Sequence, residues 1–199
     1  MINQHFAVLG ALFPLGGSIG YAIAAYRGRV QPNRVSWVLW ALSPLIAFAA
    51  ELVQHANLEV SLLTFSVGFG PLLVLAVSFY SKKAHWKITR FDLFCGSISI
   101  LALVLWAITG KGNIAILLSI MSDMFAAIPT LVKSYTHPKS ESALAFMTSV
   151  VGSTITLLAI QNGQWNFSTY AFPIYLIFIA SVISALIVLP RPQKVVFKD

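Results

Sequence analysis

The sequence predicts an all-α membrane protein that crosses the bilayer seven times. Of its 199 residues, 58% are hydrophobic and only 10% are charged, whereas a soluble domain carries about a quarter charged residues. The apolar residues fall in seven runs, each close to the length of about 20 residues that a bilayer-spanning helix needs. Twelve of the thirteen Lys and Arg residues would lie on one side of such a seven-helix chain, as the positive-inside bias requires.

Each predicted span is an apolar run bounded by charged or polar residues, Gly or Pro. In chain order the spans are His5–Arg27, Asn33–His55, Leu58–Tyr80, Arg90–Gly110, Asn113–Tyr135, Glu141–Asn162 and Ser168–Pro190. No basic residues precede the first run, and it is long enough to cross the membrane, so we expect a helix there rather than a cleaved signal peptide. The connections are short, and the longest, Ser81–Arg90, is basic.

The basic residues orient the predicted helices. With seven spans, the loops after the first, third and fifth helices share a side with the C-terminus. Those segments hold every Lys and Arg except Lys111. This predicts an external N-terminus and a cytoplasmic C-terminus in a multi-pass protein of the cell (inner) membrane. The net charge of +7 therefore predicts the lipid bilayer, and not nucleic acid, as the partner.

An internal repeat relates the first three predicted helices to the last three. Val30–Ser36 aligns without gaps with Thr136–Ser142: each follows a long apolar helix, and each places Ser four residues after Pro. Proline also recurs in the third helix of each unit, as Pro71 and Pro173. Because one helix separates the units, both would cross the bilayer in the same direction. We predict a three-helix unit over 1–80, a basic loop and linker helix over 81–112, a second three-helix unit over 113–190, and a cytoplasmic tail over 191–199.

The segment Ile128–Ser142, IPTLVKSYTHPKSES, resembles the loop motif of the PQ-loop and SWEET transporters. In that family a Pro-Gln pair late in the first helix of each unit precedes a basic residue and a Lys-Ser-(Thr)-Glu loop. The resemblance implies two parallel three-helix bundles joined by a linker helix. The chain departs from the pattern, because Thr130 replaces the glutamine and Ala22 and Ile23 stand where the first pair belongs. The proline of sugar-transporting members is missing from the sixth helix, and their sugar-binding asparagines are missing from the third and seventh.

A second resemblance is to vitamin-precursor transporters of the PnuC type, which have a similar fold. Their paired tryptophans are matched here by Trp37 and Trp40 near the start of the second predicted helix. Either resemblance implies a carrier in which one three-helix unit rocks against the other.

Asp123 lies near the middle of the fifth predicted helix, and hence near the membrane midplane. A carboxylate there costs about 2.5–3.5 kcal/mol to insert, so it should face protein or a water-filled cavity. Ser119 and Ser122 lie on the same helical face. Such an acid can bind and release a proton, or pair with a cationic solute. Alternatively, it can hold the bundle together as a neutral hydrogen-bonding group.

Other candidate site residues follow from position in the repeat. Trp40, one turn into the second helix, could stack on a flat ligand or bond it through the indole N–H. Trp37 is more typical of the membrane interface. Further contacts are expected from three residues of the third, sixth and seventh helices: Ser66, Ser149 and Tyr175. Proline removes a backbone hydrogen bond and permits bending, so Pro129 and Pro44 are candidate hinges.

These observations predict a carrier for a small polar solute that works by alternating access, with proton coupling through Asp123. The alternative class is a receptor or scaffold that binds a partner through its basic loop residues Lys82, Lys83 and Lys87. Enzymatic chemistry is not expected, because the sequence has no Ser-His-Asp set at membrane depth and no phosphate-binding Gly loop. With Cys95 as the only cysteine, we expect no disulfide, no metal and no other cofactor.

Overall fold

The computed structural model describes residues 2–53, 58–81, 86–109, 112–161, 165 and 167–189. Within those ranges all regular structure is helical. The seven α-helices are α1 Phe6–Tyr26, α2 Arg34–Val53, α3 Leu58–Tyr80, α4 Arg90–Thr109, α5 Gly112–Thr136, α6 Ala143–Ala159 and α7 Phe167–Val188, with a short 3₁₀ helix, Pro138–Ser140, before α6. Each of the seven α-helices begins and ends within three residues of the corresponding predicted span.

Four of the described helices, α1, α3, α5 and α7, are long and apolar enough to cross a membrane. The α6 helix is apolar but has only 17 residues. A multi-pass helical chain of membrane type is therefore confirmed, while the full set of seven crossings stays a prediction. The predicted tail 191–199, together with Lys82, Lys83 and Lys111, lies outside the described residues.

The outer surface of the bundle is apolar and its interior holds hydroxyl groups. Large side chains that are more than half exposed include Leu12, Phe94, Leu101, Ile108, Leu144 and Phe178. Buried hydroxyls include those of Ser36, Ser43, Ser99, Thr130 and Thr156. A surface this apolar indicates lipid as its surroundings, because water would favour the reverse distribution.

The order of neighbouring helices is the same in the two halves of the chain. The α3 helix packs between α1 and α2, and α7 packs between α5 and α6. Among the described residues, the backbones of α1 and α2 do not come close to each other, and neither do those of α5 and α6. The halves meet where α1 and, less extensively, α3 contact α6, and where α2 contacts α5. The α4 helix packs on α5 and α2.

The α4 helix begins with a capping box. The Thr89 hydroxyl accepts the Asp92 backbone N–H at 3.2 Å, and the Asp92 carboxylate accepts the Thr89 backbone N–H at 2.6 Å, so both otherwise unpaired donors are satisfied. The side-chain amide of Asn33 donates to the same carboxylate at 2.9 Å. Asp92 therefore holds the start of α4 against the start of α2.

Glycine allows α1 and α6 to lie in close contact. A Cβ atom added to Gly152 would meet the backbone oxygen of Gly10 and would lie 2.7 Å from Cδ of Pro14. A Cβ on Gly17 would lie 2.9 Å from the backbone oxygen of Ala145. Small residues at such a crossing are typical of helix pairs in membranes, where close approach of the backbones increases van der Waals contact.

We expect Gly152→Ala to lower the Tm of the detergent-solubilised protein by several degrees. The added methyl group would meet the backbone oxygen of Gly10 and the ring of Pro14, which have little freedom to move aside, and overpacking of this kind costs about 1–3 kcal/mol. Gly16→Ala is the matched control, because a Cβ there meets no atom within 4 Å. Far-UV circular dichroism during heating measures both variants, and an unchanged Tm for Gly152→Ala would contradict the close α1–α6 contact.

Candidate functional site

A cavity of about 80 Å³ lies among six helices. Its described lining comes from α1, α2, α3, α5, α6 and α7, and none comes from α4. Most of the lining is apolar, and the side chains that bring polar atoms to it are Ser18, Trp37, Trp40, Asp123 and Ser149. The volume suits a few water molecules but is well below the roughly 300–1,000 Å³ of a typical ligand site. In this structure the cavity is therefore small for a ligand site.

Asp123 is the only charged side chain among the described residues that line this cavity. It is 5% exposed. Its Oδ2 accepts a hydrogen bond from the Tyr175 hydroxyl at 2.6 Å, and the Trp40 indole interacts with the same carboxyl group. Three predicted site residues from α2, α5 and α7 are therefore brought together. A carboxyl group in this setting can take up a proton or a cation.

Aromatic rings form one wall of the cavity. The ring centroid of Trp37 lies 4.6 Å from that of Tyr21 and 5.4 Å from that of Trp40. The ring centroids of Trp40 and Phe146 lie 6.2 Å apart. Trp37 is only 4% exposed, so its assignment to the membrane interface is wrong. It is buried because rings from α1, α2 and α6 pack around it.

The indole N–H of Trp37 is an unsatisfied donor. Its Nε1 atom is buried and has no hydrogen-bond partner among the described residues, and such a group costs about 1–3 kcal/mol when left unpaired. Buried polar groups in native proteins are nearly always paired with protein or water. Because Trp37 also lines the cavity, its N–H can donate to a water molecule or to another acceptor there.

Three of the predicted serines bond between helices and do not line the cavity. The hydroxyls of Ser119 and Ser43 lie 3.2 Å apart, which joins α5 to α2. Those of Ser122 and Ser99 lie 2.8 Å apart, which joins α5 to α4. The Ser66 hydroxyl donates to a backbone carbonyl of α1. These hydroxyls are satisfied by protein groups, which is the structural role that small polar residues commonly have in membrane bundles.

The remaining predicted residues differ in their distance from the cavity. Ser149 of α6 and Pro44 of α2 line it. Pro129 does not, but it lies in α5 between Asp123 and Lys133. Prolines of α1 and α3, Pro14 and Pro71, also belong to the lining.

A buried ion pair lies on the side of the predicted cytoplasmic loops. Lys133 Nζ is 2.6 Å from Glu141 Oε1, and the two side chains are 1% and 0% exposed. The Tyr21 hydroxyl donates to Glu141 Oε2 at 2.7 Å. Lys133 also donates to the backbone oxygens of Gln31 and Ser140. The pair therefore ties the α1–α2 connection to the α5–α6 connection, and Tyr21 links it to the aromatic wall.

Burial raises the pKa of Glu141, which precedes α6, and the Lys133 ammonium opposes this shift. Both residues lie in the loop motif Ile128–Ser142 quoted above, but the sequence does not show that they pair with each other. The available signal is an acid among the basic segments, eight residues after a lysine.

Comparisons of the chain with protein-family models, curated proteins and solved structures find no match. The chemistry of the cavity and of the ion pair therefore carries the functional conclusion. Together they are a mostly apolar cavity among membrane-type helices, with one acid in its lining, and a buried ion pair on the side of the predicted cytoplasmic loops.

Proposed function

We propose that this protein is a carrier that moves a small polar solute across the membrane by alternating access, with Asp123 coupling transport to protons. The observation that carries the proposal is a buried carboxyl group in a central cavity, without a cationic partner among the described residues. Ionisable groups inside membrane bundles are costly, and they commonly mark the path of a solute or a proton.

The helix contacts support two equivalent units in the same orientation. If α1, α2 and α3 correspond to α5, α6 and α7, the α1–α6 contact corresponds to the α5–α2 contact. In each half, the third helix lies between the other two. With one helix between two such units, both cross the membrane the same way. This supports seven crossings arranged as three, one and three, and it supports the resemblance to the PQ-loop and SWEET transporters.

The position of the ion pair supports alternating access. Lys133 and Glu141 belong to the second half, and Gln31 and Tyr21, which they contact, belong to the first. Separating the halves on that side therefore requires these contacts to break. Pro129 lies in α5 between the cavity acid and the ion pair, so bending there would open one end while the cavity stays in place.

The test is solute uptake into liposomes that contain the purified full-length protein under an imposed pH gradient. We expect accumulation above protein-free liposomes for at least one solute among amino acids, sugars, nucleosides and organic amines. A proton ionophore should reduce this accumulation to the level reached without a gradient. Folded, reconstituted protein that moves no solute of the panel would contradict the proposal and favour the receptor or scaffold.

The PnuC-type carrier is a second candidate, favoured by one observation. Trp37 and Trp40 both line the cavity, and paired indoles provide flat faces for a ring-containing solute. A preference for ring-containing solutes in the same uptake panel would support this candidate over the first.

A further inference from the structure

The described lining of the cavity carries one acidic group and no basic group. Among the described residues, Asp123 is its only ionisable lining group, and no Lys, Arg or His takes part. The acid contacts the hydroxyl of Tyr175 and the indole of Trp40. These groups donate hydrogen bonds to the carboxylate but bring no positive charge. A solute anion would therefore face an uncompensated carboxylate.

The aromatic wall, like Asp123, favours a positively charged group. The faces of indole and phenyl rings carry negative electrostatic potential, and a cation within about 6 Å of a ring centroid is attracted to it. Trp37, Trp40 and Phe146 line the cavity beside Asp123, with centroids 5.4 Å and 6.2 Å apart along the wall. A carboxylate and several ring faces around one small space are the two kinds of group that recognise an ammonium ion.

Neutral polyols fit this cavity less well. The lining offers two hydroxyl side chains, Ser18 and Ser149, in addition to the acid and the indoles. A sugar carries many hydroxyl groups, and each one left unpaired in an apolar cavity weakens binding. The unpaired N–H of Trp37 requires only one acceptor, such as a single hydroxyl or carbonyl oxygen.

We propose that the solute is a small organic cation: an ammonium group paired with Asp123 against the indole faces of Trp37 and Trp40, carrying one hydrogen-bond acceptor for the Trp37 N–H. This proposal depends on the carrier function above, since it names the class of solute. Proton and ammonium ion compete for one carboxylate, so the carrier exchanges the solute for a proton.

The decisive comparison is between choline and its uncharged isostere, 3,3-dimethylbutan-1-ol. Isothermal titration and quenching of tryptophan fluorescence measure the binding of each to the detergent-solubilised full-length protein. We expect choline to bind on the order of tenfold more tightly or better, because only choline gains the charge and ring contacts. In Asp123→Asn the difference should fall to about twofold or less.

Tyr175→Phe is the matched variant, because it removes the hydroxyl contact and keeps the carboxylate. It should retain the preference for choline. Equal affinity for choline and its isostere, or no binding of choline, ethanolamine or tetramethylammonium, overturns the proposal. The comparison of choline with its isostere uses the unaltered protein, so it tests the proposed cation site even when a variant fails to fold.

The two proposals can fail separately. If liposomes take up a neutral solute and choline does not bind, the carrier function stands and the cation assignment is wrong. If choline binds with the expected charge preference and no solute crosses the membrane, the cation site stands and the carrier function is wrong.

Discussion

Lys133→Met should lower the free energy of unfolding by about 3–5 kcal/mol, because it leaves the Glu141 carboxylate buried without a cation. Both side chains are almost fully removed from solvent, so water cannot replace the lost partner. The Tyr21 hydroxyl would remain as the one side-chain donor to the acid. For a chain of this length the loss corresponds to about 6–20 °C in Tm, measured by thermal unfolding in detergent.

Lys139→Met is the matched control, since it makes the same chemical change on an exposed side chain of the 3₁₀ helix. Its Tm should stay close to that of the unaltered protein. The double variant Lys133→Met, Glu141→Gln removes both charges and should be destabilised less than the sum of the single changes. Equal Tm values for Lys133→Met and Lys139→Met would show that the pair contributes no stability.

The stability of Lys133→Met should also depend on pH. Burial raises the pKa of Glu141, and the lysine that opposes this shift is absent from the variant. When the folded-state pKa of an acid lies above its unfolded value, the folded state binds the proton more tightly, and stability is lost as pH rises through the folded pKa. The gap in Tm between the variant and the unaltered protein should therefore narrow from about pH 8 to about pH 5.

The helices could be predicted closely because their signals are local. A run of about 20 apolar residues between polar ends fixes both the length and the position of a membrane helix. The largest difference is at the end of α6, which is predicted to reach Asn162 and instead ends at Ala159. Ile160 adopts an extended conformation there, and nothing in its apolar side chain indicates this.

The acid of the cavity could be predicted, but its surroundings could not. A charge in the middle of an apolar helix is visible in the sequence, whereas its partner Tyr175 is 52 residues away. The serines of α5 show the same limit. Ser122 and Asp123 are adjacent, but successive helical side chains differ by about 100° in direction. Ser122 therefore contacts α4, while Asp123 lines the cavity. Only the packing of the helices determines which of the two side chains faces the cavity.

The ion pair could not be predicted from the sequence, because the residues that contact it come from distant parts of the chain. Its contacts come from Tyr21, Gln31, Lys133 and Glu141, so that 120 residues separate the tyrosine from the acid that it contacts. In the sequence, Lys133 belongs to the loop motif and obeys the positive-inside bias, but neither property indicates that it is buried. Its burial becomes apparent only when the two halves of the chain are brought together.

Asp123→Asn should abolish the response of solute uptake to a pH gradient and lower uptake by about tenfold or more. Asparagine keeps the shape of the side chain, and its amide oxygen can still accept the Tyr175 hydroxyl. It can neither exchange a proton nor pair with a cation. Losing a charged hydrogen-bond partner costs about 1.5–3 kcal/mol, which is a factor of ten or more in binding.

Asp92→Asn is the matched control for this prediction. Asp92 is also a buried acid, 3% exposed, but its carboxylate is held by Thr89 and Asn33 at the start of α4. Losing that contact should lower Tm and leave the response to the pH gradient intact, because Asp92 does not line the cavity. The measurement is uptake into liposomes at several imposed pH gradients, with equal amounts of reconstituted protein. A gradient response that survives in Asp123→Asn, or that disappears equally in Asp92→Asn, means that the coupling proton binds elsewhere.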